Sequence, residues 1–179
     1  RLPGDLESGV HELRVTADGC DEVLDRIALD IVAPERVWAL PEGLTPDDVV
    51  FEDRIGRDLI ALVGHALTPA TPTPGAVVEV HLAWQALAPV DLSYRIYLHV
   101  QDADGNLVAQ SDGEPAGWSR PTTGWAVGEI VSDVRSVEIP ADVATGDTTL
   151  RVGVYALDGT RLVTKEGDDG TIVATIEIE

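Results

Sequence analysis

Asp102-Ala103-Asp104-Gly105-Asn106, with Asp112 close behind, sets carboxylate and amide oxygens at alternate positions around a glycine. A hard cation such as calcium collects roughly six to eight oxygens in such a loop, so Asp102, Asp104 and Asn106 are candidate ligands. The twelfth position, where a bidentate Glu would close the loop, holds Gly113, with Glu114 one place beyond. The same Asp-Gly-Asn run also suits a hairpin turn on backbone grounds alone, with both central residues of a type I′ turn at positive φ. Both readings stand at this point.

A second constellation lies just downstream. Trp118 and Trp125, with Tyr94, Tyr97 and Tyr155, are candidates for an aromatic platform that has Arg120 and Asp112 as polar neighbours. Sugars stack their apolar faces on aromatic rings and hydrogen-bond through carboxylates and guanidinium groups, which makes Trp118, Trp125, Arg120 and Asp112 candidate glycan contacts. The plainer alternative is that both tryptophans pin a long Gly- and Pro-containing loop, 112–128, that has no secondary structure of its own.

His11, His65, His81 and His99 have no ligand-like spacing, although His81 and His99 fall on neighbouring predicted strands. Cys20 is the lone cysteine, so it forms no intrachain disulfide, and no basic neighbour activates its thiol. Nucleophile-elbow, phosphate-loop and paired-cysteine motifs do not occur, and the acids are scattered. No catalytic residue is assigned, and the chain is read as non-enzymatic, with no cofactor other than the calcium candidate.

These residues must be carried by strands. Val77 to Gln85 alternates with Val78, Val80, Leu82 and Trp84 on one face. Tyr94 to Val100 sets Tyr94, Ile96, Leu98 and Val100 against Arg95, Tyr97 and His99. Leu59–Leu67, Leu107–Gln110, Ile130–Val137, Thr148–Tyr155 and Ile172–Ile178 complete a set of seven. Prolines 69, 72 and 74 with Gly75, and the Asp104-Gly105 and Asp158-Gly159 pairs, supply turns between them. Residues 21–31 are too rich in β-branched side chains for a helix. The pattern predicts an all-β, immunoglobulin-like antiparallel sandwich with Trp84 between its sheets.

A partial repeat organises the chain. Leu2-Pro3-Gly4-Asp5-Leu6-Glu7-Ser8-Gly9 followed by Leu13-Arg14-Val15 returns as Ile139-Pro140-Ala141-Asp142-Val143-Ala144-Thr145-Gly146 followed by Leu150-Arg151-Val152, at a constant offset of 137. Each copy is followed by an Asp-Gly pair (Asp18-Gly19, Asp158-Gly159) and a closing strand. Residues 1–34 therefore read as the last two strands of a second, partial sandwich copy. Residues 35–48 read as an extended proline-containing connector, and 49–179 as a complete module. An isolated hairpin is marginal in water, so Leu13, Val15, Ile27, Leu29 and Ile31 are expected to bury one face on the main body or another chain. The opening Arg1, with no leader ahead of it, suggests a fragment or a processed product.

From about Asp48 onward the chain resembles an accessory module. The runs Leu62-Val63-Gly64-His65-Ala66-Leu67, Pro74-Gly75, Leu82-Ala83-Trp84-Gln85-Ala86-Leu87, Leu98-His99-Val100-Gln101-Asp102-Ala103-Asp104-Gly105, Gln110-Ser111-Asp112-Gly113, Pro121-Thr122, Trp125 and Gly128-Glu129 carry the likeness. It is to the β-sandwich domain at the C-terminal end of bacterial membrane proteins related to dolichyl-phosphate-mannose mannosyltransferases, and of other surface proteins. The resemblance implies a setting outside the cytoplasmic membrane, at the cell surface or secreted. It brings no chemistry with it.

Composition narrows the partners. With 32 acidic and 12 basic residues the net charge is −20, which opposes binding to a phosphate backbone or an anionic membrane surface. Eleven of the basic residues are Arg, and Lys165 is the only Lys. No run approaches the roughly 20 apolar residues that cross a bilayer, so this segment is not expected to insert directly. The expectation is a non-catalytic, extracytoplasmic structural or interaction module in a tandem-repeat protein, with neighbouring modules or chains as partners. The alternative is a carbohydrate-binding module built on the Trp118–Trp125 loop.

Overall fold

A computed structural model describes residues 6–16 and 23–178. Cys20, the Asp18-Gly19 pair and residues 2–5 of the repeat lie outside the described residues. The chain divides into two units, Arg1–Glu35 and Arg36–Glu179.

The first unit is an antiparallel hairpin of β1 (Gly9–Thr16) and β2 (Val23–Ile31). Gly9 stands opposite Ile31, His11 opposite Leu29, and Leu13 opposite Ile27. Because side chains alternate across a strand, this register gathers His11, Leu13, Val15, Ile27, Leu29 and Ile31 on one face. The other face is charged, with Glu12 pairing Arg14 at 2.6 Å and Arg26 at 3.1 Å. The five apolar residues expected to share a face do so. Leu13, Val15 and Ile27 nonetheless stay more than a third exposed, and only Leu29 and Ile31 are half-buried.

The second unit is a β-sandwich. One sheet has the order β10-β3-β4-β5-β8 and the other β11-β9-β6-β7. The strands are β3 (Thr45–Glu52), β4 (Asp58–Thr68), β5 (Val77–Ala86), β6 (Tyr94–Gln101), β7 (Leu107–Gly113), β8 (Ile130–Glu138), β9 (Gly146–Ala156), β10 (Val163–Thr164) and β11 (Thr171–Ile178), with one 3-10 turn at Thr122–Gly124. All seven strands expected in this region are present. Among the described residues no helix is long and apolar enough to cross a membrane.

The core follows the alternation. Val78, Val80, Leu82 and Trp84 of β5 meet Ile96, Leu98 and Val100 of β6 and Leu150, Val152 and Val154 of β9 across the interior. Trp84 is fully buried, with Phe51 tilted against it at 5.9 Å between ring centroids. Removing an indole of roughly 200–250 Å² from water contributes on the order of 5 kcal/mol.

Three details differ from expectation. Residues 45–48, read as the end of a connector, begin β3, where Thr45 pairs His65 and Pro46 pairs Gly64 at the strand's start. His81 and His99 do not face one another, because β5 and β6, consecutive in sequence, belong to opposite sheets. The Asp104-Gly105 turn is not type I′, since Gly105 is left-handed (φ 82°) while Asp104 is not among the positive-φ residues. It is a tight loop in which the Gly105 N–H donates to the Asp102 carbonyl at 2.9 Å.

Candidate functional site

The loop between β7 and β8 is held from within by buried charges. Glu129 is fully buried, and its carboxylate pairs with the guanidinium groups of both Arg36 and Arg120 and accepts the Ala126 N–H at 2.9 Å. Asp133 of β8 accepts Arg135 Nε at 2.7 Å and the Ala116 N–H at 2.8 Å. Arg135 donates from Nη1 to the Ser111 carbonyl (3.1 Å) and from Nη2 to the Gly113 carbonyl (3.0 Å), so one sheet's edge strand ties down the other's. The buried Thr122 hydroxyl donates to the Leu92 carbonyl (2.8 Å) and accepts the Tyr94 N–H (2.9 Å). A buried ion pair is costly to break, about 3–5 kcal/mol when one partner is removed. This scaffold is correspondingly stiff.

At the loop's tip three consecutive residues are left-handed: Ala116 (φ 52°), Gly117 (φ 59°) and Trp118 (φ 72°). For non-glycine residues that conformation costs on the order of 1–3 kcal/mol each and persists only where the surroundings enforce it. Here it holds the Trp118 indole 57% exposed, packed beside Gly113, with the Arg95 guanidinium carbon 5.0 Å from the ring centroid.

Trp118 borders the outward face of the four-stranded sheet. Register sets Arg95 opposite Tyr155, Tyr97 between Asp112 and Gly153, and His99 between Gln110 and Arg151. The Tyr155 hydroxyl lies 3.5 Å from Asp112 Oδ2, and His99 Nε2 lies 3.7 Å from Asp112 Oδ1. Burial lowers the His99 pKa, and the Asp112 charge opposes this. At 3.7 Å the pair is too long for a hydrogen bond, and burial wins.

The far end of this face is roofed by the segment between β9 and β11. Tyr97 donates its hydroxyl to the Asp169 carbonyl at 2.9 Å, and the Arg161 guanidinium carbon sits 4.9 Å from its ring centroid. Asp169 pairs with Arg151 (2.8 Å) and Arg161 (2.7 Å). Burial alone would raise its carboxyl pKa, but the two arginines outweigh it and hold the group below its ordinary value. Gly153 and Gly170 are required here, because a Cβ at either would strike the Tyr97 ring. A separate groove of about 540 Å³ runs past Asp48, Val50, Arg151, Lys165, Glu166 and Ile172.

The structure distributes the expected site residues unevenly. Trp118 and Asp112 reach the outward face. Trp125 is 4% exposed and donates its indole N–H to the Arg120 carbonyl at 2.9 Å, and Arg120 is turned inward onto Glu129. Tyr94 lines the core, and Tyr97 lies under its roof. Asp102, Asp104 and Asn106 form a closed turn. Asp102 Oδ1 accepts the N–H groups of Asp104 (3.0 Å) and Asn106 (2.8 Å), and Oδ2 accepts the Asn106 amide (2.9 Å). Its carboxyl is held low chiefly by the Asn106 side chain. Among the described residues no group of three or more His, Cys, Asp or Glu side chains is arranged to hold a metal ion. Arg95 was not expected at the site. Its signal was the outward run Arg95, Tyr97, His99 on one strand, an unusual set for a plainly solvated face.

No protein family and no curated protein matches the chain. Among solved structures it is similar to one titled as the crystal structure of the C-terminal domain of Wzt, with TM-score 0.52 and 11% identity over 78% of this chain and 80% of that one. At that identity the likeness shows the fold, and the chain carries a β-sandwich module.

Proposed function

We propose that this chain is a non-catalytic interaction module of a tandem β-sandwich array, held outside the cytoplasmic membrane in a surface or membrane-associated protein. The observation that carries this reading is the geometric match between β1–β2 and β9–β11. Gly9 and Gly146, 137 residues apart, open their strands at φ 142° and 136°, and each stands opposite an isoleucine, Ile31 and Ile178. The positions that make the apolar face of the hairpin are core positions in the second copy: Leu150, Val152, Ile176 and Ile178. A hairpin with a sandwich's inner face is suited to closing a sandwich, with the free edge of β1 taking the strand that β6 provides to β9. The placement outside the membrane is supported by the resemblance of residues 48–179 to the accessory domain of mannosyltransferase-related membrane proteins.

The repeat offset supplies the test. Residues 36–145 fused directly ahead of Gly9 would give the hairpin the strands it lacks, leaving residues 36–179 intact as an internal reference. Amide exchange at Leu13, Val15 and Leu29 then slows toward that of Leu150 and Val152. Fast exchange along the hairpin in a fusion whose added strands are themselves protected would overturn the reading. In intact cells a membrane-impermeant amine or carboxyl label should reach the protein; labelling only after lysis refutes the location.

A further inference from the structure

The geometry points to a carbohydrate site on the outward face of the four-stranded sheet, formed by Trp118, Arg95, Tyr155 and Asp112, that takes a pyranose ring. It goes beyond the array reading and stands on a different surface.

The first support is the indole itself. Three left-handed residues and two buried ion-pair clusters hold Trp118 in solvent at a fixed angle, beside a glycine that lets it lie against β7. A tryptophan needed only for packing would be drawn inward, as Trp125 is on the same loop. The second is Arg95. Its Nε is buried without a hydrogen-bond partner among the described residues, and its guanidinium lies over Trp118. Such a group is stiff, planar and rich in donors, which suits vicinal hydroxyls.

The third is the acceptor opposite. Among the described residues Asp112 has only the long contacts to Tyr155 and His99, so its oxygens retain capacity for hydroxyl donors. An aromatic face, a fixed donor and an under-used carboxylate on one rigid sheet form the polar and apolar pattern of a sugar ring. The alternatives fit less well. Nucleic acid is opposed by the net charge of −20. An obligate protein partner would need a broad apolar patch, and the face around this single indole is polar. Arg95 and Tyr97 are two residues apart on one strand, about 7 Å, so the open stretch accommodates a single ring before it meets the Tyr97 roof.

The test is an array of defined oligosaccharides, with calorimetric titration of the tightest binder against the chain and its variants. Trp118→Ala and Asp112→Asn each weaken binding by about tenfold or more, while Trp38→Phe, which alters an equally exposed indole, changes it by less than roughly twofold. Amide shifts on titration fall at Arg95, Asp112 and Tyr155, and unchanged thermal melts show that the variants are folded. Should either variant fail to fold, the amide-shift map of the unaltered chain decides alone. Absence of any millimolar or tighter saccharide, unweakened binding by folded Trp118→Ala, or shifts confined to other surfaces would overturn the assignment. None of these outcomes touches the hairpin, so the array reading fails or survives separately.

Discussion

The hairpin β1–β2 and its repeat β9–β11 share a register from Gly9 to Leu13 and from Gly146 to Leu150, a glycine at φ near 140° and an apolar stripe, yet they differ in environment. Leu13 is 43% exposed where its counterpart Leu150 is fully buried, and Val15 is 40% exposed where Val152 is fully buried. Local sequence therefore produces the same local ladder twice, and burial comes from what faces it. Thr16 stands where the second copy has Gly153, the residue that makes room for Tyr97. The two hairpins are cut for the same kind of core but for different outer faces.

The sharpest way to break this comparison is to truncate matched leucines. Leu150→Ala should cost about 2–5 kcal/mol in denaturant unfolding followed by tryptophan fluorescence, because it opens a cavity in packed core. Leu13→Ala should shift the same transition by no more than about 0.5 kcal/mol. Equal costs would show that the hairpin already shares the sandwich's core. Next in size is Gly153→Ala, which sets a methyl against the Tyr97 ring and the Asp169 carbonyl. A loss of about 1–3 kcal/mol is expected in the same assay, and a neutral result would mean that the roof over Tyr97 yields easily.

The smallest effects are titrations, and they belong to β9–β11 and its neighbours. Asp169 is held below its ordinary value, so its contribution is intact above about pH 4 and is lost as pH falls through the lower folded value. Thermal melts should therefore fall with acidification in that window, less steeply in Arg161→Ala. His99 is also depressed. The unfolded chain takes up the proton first, so stability is fully present above about pH 6.5 and declines as pH falls toward the folded midpoint. In an NMR titration Asp112→Asn should lower that midpoint further. A midpoint above the ordinary histidine value in the unaltered chain would mean that the aspartate, not burial, governs the ring.

Much of the sandwich was legible because two-residue alternation is a direct record of one buried face, as in Val78, Val80, Leu82 and Trp84. β3 was harder to read, since Pro46, Asp47 and Asp48 look like connector chemistry. They are tolerated because the strand's first pairs bridge only to β4 and its partner β10 reaches no further than Phe51. The candidate site was legible in part. Trp118 and Asp112 stood out by type, but Trp125 and Arg120 are the same types turned inward, and no spacing rule distinguishes them.

The sequence by itself determined most of the strands, the places of the turns and the repeat, because alternation, glycine freedom and proline restriction act over a few residues. Tertiary structure alone decided which residues each strand faces: β5 and β6 in opposite sheets, Glu129 beneath two arginines, Trp118 beside Arg95. Those outcomes depend on strand order and sheet stacking, which bring together groups far apart in the chain and leave no periodic trace in it.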